Sequence, residues 1–152
     1  MKRLPLLLAA ASIALLSSAM PFRVAPALGY RLHERLTIYE AACLGTETPP
    51  ELLRAIARVE SSERDDAIGD DGESIGRFQD RKRYHAYRES LYGSYDPTKP
   101  AEVARVYALE LSRHFAIAGD WDIATAAHRQ GLEGARSDGP TGWYLERVRS
   151  QL

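Results

Sequence analysis

One glutamate is spaced to hold a proton. Residues 49 to 62 read PPELLRAIARVESS, in which Leu52, Leu53, Ile56 and Val59 recur at the intervals of an amphipathic helix. Glu60 lies seven residues after Leu53 and four after Ile56, which puts it on or beside the buried face. It also falls in the last turn, where the exposed carbonyls carry partial negative charge that opposes ionisation. Burial and the helix end together predict a raised pKa and a carboxyl that keeps its proton near neutral pH. General acid catalysis at a glycosidic oxygen requires such a group. On spacing alone the same side chain could equally reach water or pair with Arg58, Arg64 or Arg77.

The other reactive types point less sharply. Cys43, the only cysteine, is flanked by Ala41, Ala42 and Leu44 and reads as a small buried hydrophobe with nothing nearby to lower its pKa. The acidic loop from Asp65 to Glu73 lacks the alternating ligands and terminal glutamate of a calcium loop, so its charge reads as solvated. Paired Cys-x-x-Cys, His-Glu-x-x-His, phosphate-cradling Gly-rich runs and Gly-x-Ser-x-Gly elbows are all missing, and no metal or cofactor is expected. The run Arg81-Lys82-Arg83 with Tyr84 and Tyr87 could touch anionic peptides of a glycan, or form a solvated helix face.

Five or six short helices must carry these residues, with at most a small β hairpin. Leu32, Leu36, Tyr39 and Cys43 predict a helix over 30–44. Thr48 predicts a cap, with Glu51 closing a capping box, for the helix of Glu60. The stretch 63–77 predicts a polar loop, and Asp80 predicts the cap of a helix reaching Tyr92. A long helix over 98–118 offers Val103, Val106, Tyr107, Leu109, Leu111 and Phe115 to the core. Gly131 predicts the stop of a helix over 121–130, a loop follows to Gly142, and a last helix runs over 143–152.

Four segments then stand in order: Val59-Glu60-Ser61-Ser62, Gly72 through Gly76-Arg77-Phe78-Gln79, Ala127-His128-Arg129-Gln130-Gly131, and Tyr144-Leu145-Glu146-Arg147-Val148. Together they resemble the signatures of lytic transglycosylases of the soluble type and related lysozyme-like muramidases, over roughly residues 50 to 150. The resemblance implies a mainly α, lysozyme-like fold and an enzyme that cleaves the bond between N-acetylmuramic acid and N-acetylglucosamine in peptidoglycan. It implies that Glu60 protonates the glycosidic oxygen and then acts as base while the muramic 6-hydroxyl closes on C1. It further implies that Ser74, Gly76, Gln79, His128 and Tyr144 contact or line the sugar. One position departs from the pattern: His128 stands where the family commonly has the tyrosine that supports the glutamate, so its charge would couple to that of Glu60. A water-using muramidase is the alternative if Asp70, Asp71 or Glu73 supplies a second carboxylate. A non-catalytic glycan-binding or scaffolding protein is another.

Residues 1–19 read as a signal peptide, with Lys2 and Arg3, an apolar run and small residues before a cut that could fall as late as 27. The run is shorter than the ~20 apolar residues of a membrane span. Residues 20–29 then form a short linker and 30–152 one catalytic domain, exported to the periplasm or cell envelope. With 20 basic and 21 acidic residues there is no field that would select nucleic acid. The expected partners are glycan strands, and the resemblance adds an envelope-spanning machine for which such enzymes open gaps.

Overall fold

The computed structural model describes residues 36–140 and 142–152. The expected leader, linker and first turns of the first helix lie outside the described residues.

Among the described residues six helices surround a small sheet, and the chain is mainly α. Helix α1 covers Ile38–Cys43. It starts later than the apolar spacing predicts, because Thr37 caps it: the Thr37 Oγ1 accepts from the Glu40 N–H while the Glu40 carboxylate accepts from the Thr37 N–H. Helix α2, Pro50–Ser61, opens with proline in its first turn and buries Leu52, Leu53 and Ile56. The expected Thr48 cap does not form. Its hydroxyl donates instead to the Ala108 carbonyl at 2.7 Å, tying the start of α2 to a distant helix.

The polar loop folds into three short antiparallel strands in sequential order, one more than a hairpin: β1, Ile68–Gly69, β2, Ser74–Ile75, and β3, Asp80–Arg81. Gly76, at φ +69°, makes the second reversal, and its carbonyl accepts from the Gln79 N–H at 3.1 Å. Asp80 caps nothing. It pairs with Ile75 in the sheet and its side chain is fully buried, while the next helix, α3, begins at His85 and ends at Tyr92.

Helix α4, Pro100–Ala118, is the central strut and packs against α1, α2, α3 and the helix that follows it, α5, Trp121–Ser137. Val103, Val106, Tyr107 and Leu111 are buried on it, whereas Leu109 and Phe115 are only partly covered; Phe115 stacks on Trp121 at 4.1 Å. Asp120 caps α5 by accepting from two backbone N–H groups. The helical path breaks at Gly131, which adopts φ 76°, ψ 157°, but in place of the expected loop a second helical stretch follows to Ser137, where Leu132 and Ala135 pack back on Ala126 and Ala127. Helix α6, Trp143–Arg149, ends before the chain does and brings Tyr144 and Val148 into the main core. Cys43 is buried there as well, and burial pushes its thiol up to about 11, which removes the thiolate a nucleophile needs. No helix among the described residues is long and apolar enough to cross a membrane.

Candidate functional site

Glu60 is delivered by the end of α2, and the way that helix ends determines its aim. Ser62 turns into the left-handed region, its N–H donates to the Arg58 carbonyl, and the Glu63 N–H donates to the Ala57 carbonyl. Ser61 then clamps the helix end to the sheet: its Oγ donates to the Arg77 carbonyl at 2.9 Å and accepts from the Arg64 N–H at 3.0 Å. The neighbouring Glu60 side chain, 13% exposed, opens into a cleft of about 560 Å³.

Of the residues singled out with Glu60, Ser74, Gln79 and His128 line the same cleft. Ser74 is buried and donates to Asp70 at 2.7 Å. Gln79 donates to the Gly76 carbonyl at 3.0 Å, and its amide occupies the space a side chain on Gly69 would need, since a Cβ there would lie 2.1 Å from Gln79 Oε1. Gly76 and Tyr144 do not line the cleft. Gly76 borders a small depression on another side, with Asp65 and Arg77, and so gives no approach for a ligand to the Glu60 cleft. Tyr144 lies behind His128, the rings stacked at 6.0 Å.

His128 comes from α5, where Ala124, Ala126 and Ala127 keep the helix close to its neighbours. Its imidazole sits between Tyr107 and Tyr144, with Nε2 3.4 Å from Glu60 Oε1. Neither Glu60 Oε1 nor the Tyr144 hydroxyl completes a hydrogen bond of good geometry, although both are buried. The carboxylate therefore has donors within reach that are not yet aligned.

This arrangement reverses the charge state expected from the helix pattern. Burial is the largest influence on Glu60 and raises its pKa, but the His128 contact and charge, the Tyr144 hydroxyl and Arg129 together outweigh it. The net direction is downward. The carboxylate in turn joins burial in pushing the Tyr144 hydroxyl well above the usual phenol range.

Tyr107, Glu110 and His114 on α4 line the rest of the cleft with Arg88 and Arg113, none of which the sequence analysis singled out as polar groups. Its edge is formed by Arg81, Tyr84 and Tyr87 from the basic run, and by Arg129. Beneath them Asp80 accepts from Arg88 at 2.7 Å and Tyr95 at 2.8 Å, and the Tyr107 hydroxyl lies 3.3 Å away. Arg88 also reaches Glu110 at 3.4 Å. A signal for this network was present: Tyr107, Glu110 and His114 fall at i, i+3 and i+7, a polar stripe on the buried side of an apolar helix.

Of the three loop carboxylates considered as a second acid, Asp70 alone lines the cleft, held by Ser74 and by Arg81 at 3.3 Å. No group of three or more candidate metal ligands occurs among the described residues. A scan against protein-family models, a search of curated proteins and a search of solved structures each return no match to the chain.

Proposed function

We propose that this protein is an exported peptidoglycan lytic transglycosylase with a lysozyme-like fold, in which Glu60 is the catalytic acid and base. The observation that carries the reading is a nearly buried glutamate at a clamped helix end, opening into one cleft with Ser74 and Gln79. The ordered sequence segments predict the same constellation, and the mainly helical architecture with a small antiparallel sheet is compatible with it.

In this reading Glu60 gives its proton to the glycosidic oxygen as the bond to C1 breaks. The resulting carboxylate then takes the proton of the muramic 6-hydroxyl as that oxygen bonds to C1, leaving a 1,6-anhydro end and consuming no water. One carboxylate suffices, and the polar walls orient the sugar. Purified sacculi treated with the wild type should release soluble fragments, and Glu60→Gln should slow release by roughly 10²–10⁴-fold. Equal release by both proteins would remove Glu60 from the chemistry.

A second reading, a water-using muramidase, is favoured by Asp70 in the cleft wall. Mass spectrometry of the products separates the two, since hydrolysis leaves each muramic end heavier by one water. If the wild type binds sacculi and releases nothing, the protein is a non-catalytic glycan binder.

A further inference from the structure

The turn that follows Glu60 is strained. Ser62 and Glu63 both adopt left-handed backbone, at φ 59° and 64°, and neither is the glycine or asparagine that visits this region readily. One left-handed residue is a common way to end a helix. A second in succession needs a further restraint, because such strain persists only where the surroundings over-determine it.

The Glu63 side chain supplies that restraint. Its Oε1 accepts from Arg54 Nε at 2.9 Å and from Arg58 Nε at 2.8 Å, two arginines one turn apart on α2, and its Oε2 accepts from the Tyr39 hydroxyl of α1 at 2.9 Å. Tyr39 accepts in turn from Arg77 Nη1 at 3.0 Å, and Arg77 is itself paired with Asp65. The carboxylate thus folds the chain back against the helix it has just left and ties that helix to α1 and to the sheet. Burial raises the Glu63 pKa, but the bonds from Arg54, Arg58 and Tyr39 outweigh it, so the clamp stays charged at neutral pH.

Glu63 does not line the cleft and offers no contact to a ligand there. Arg54 and Arg58 are each more than a third exposed, and ion pairs of that kind add little to global stability. Their effect is local, on a turn that begins directly after the helical residues carrying Glu60 and Ser61. We propose that Glu63 is a positioning residue: by fixing the left-handed turn it fixes the last turn of α2, and with it the aim of the Glu60 carboxylate towards His128 and the cleft. That Glu60 is catalytic rests on the function proposed above; that Glu63 sets its geometry does not.

The test compares Glu63→Ala with Glu63→Gly. Both remove the carboxylate, but glycine takes a φ of 64° without strain and alanine does not. NMR titration of the Glu60 side-chain carboxyl reads its contact with His128 whether or not the protein is an enzyme. In Glu63→Ala the turn should relax, the 3.4 Å contact should loosen, and the Glu60 pKa should rise. Loss of the Glu63 charge alone would move Glu60 the other way, since a negative neighbour is removed. In Glu63→Gly most of the rise should be reversed. On sacculi, Glu63→Ala should lower kcat by roughly 10- to 100-fold with KM little changed, the scale of a reacting group displaced by about 1 Å, and Glu63→Gly should recover most of the loss. Melting curves establish that each protein is folded; if the alanine variant melts below the assay temperature, Glu63→Gln replaces it, keeping an acceptor oxygen without the charge, and a smaller rise is expected. A Glu60 titration that is unmoved, or moved downward, in the folded variant overturns the proposal. Equal rises in the alanine and glycine variants overturn strain in the turn as its cause. If the wild type releases nothing from sacculi, the proposed function falls, and the titration alone decides the role of Glu63.

Discussion

Among its neighbours, His128 does most to set the conduct of Glu60. With His128 at 3.4 Å the carboxyl is held below its ordinary value of 4.5, so the free protein carries the base form near neutral pH. An acid step drawing on Glu60 then gains as pH falls, and the activity profile should lean to the acid side. His128→Gln removes the imidazole and its charge while keeping an amide donor, so burial should dominate and the Glu60 pKa should rise. The acid-form limb of the pH profile for kcat/KM is then expected to move to higher pH in the variant; an unmoved limb would show that His128 does not set the Glu60 charge. The linkage to stability has a definite sign. A carboxyl depressed on folding stabilises the native state above about 4.5, and that contribution is lost as pH falls through the depressed value.

At the scale of elements, site geometry is made by close contacts between the sheet turns and the end of α2. Gly69 on β1 illustrates the constraint: its backbone is extended and would suit any residue, but the space beside it is filled by the Gln79 amide. Gly69→Ala should displace that flexible amide from its bond to Gly76 rather than unfold the sheet. The melting temperature is expected to change little, whereas affinity for glycan strands should fall severalfold, on the order of 1 kcal/mol for one hydrogen bond. Unchanged affinity, measured by co-sedimentation with sacculi, would mean that Gln79 does not contact the sugar.

Across the whole molecule, the cleft floor and the fold share one buried anchor. Asp80 on β3 joins the sheet to α3 through Arg88, to Tyr95 in the following loop and to α4 through Tyr107. Burying such a charge is costly, and breaking the pair leaves Arg88 in the interior with only its longer 3.4 Å contact to Glu110. Asp80→Ala should therefore cost about 3–5 kcal/mol and lower the melting temperature by on the order of 10 °C or more. A calorimetric scan with only a few degrees of change would show that water or other groups take over from Asp80. Because Tyr107 also stacks on Phe78 and meets His128, the anchor supports the Glu60 region through packing.

Local rules carried by the sequence are sufficient for much of this. Apolar intervals determine that α2 exists, that Glu60 lies in its last turn, and that Val103, Val106, Tyr107 and Leu111 face inward, since these follow from a 3.6-residue period. Cap chemistry is legible only where it stays local. Thr48 and Asp80 have the types that cap helices, yet one is recruited by a carbonyl 60 residues away and the other by an arginine and two tyrosines. The state of Glu60 belongs to the same class. Spacing reports the burial that raises its pKa, whereas His128, Tyr144 and Arg129 arrive from α5 and α6 and reverse the direction. Which side chains surround a buried charge is a matter of long-range packing, and that only the tertiary structure decides.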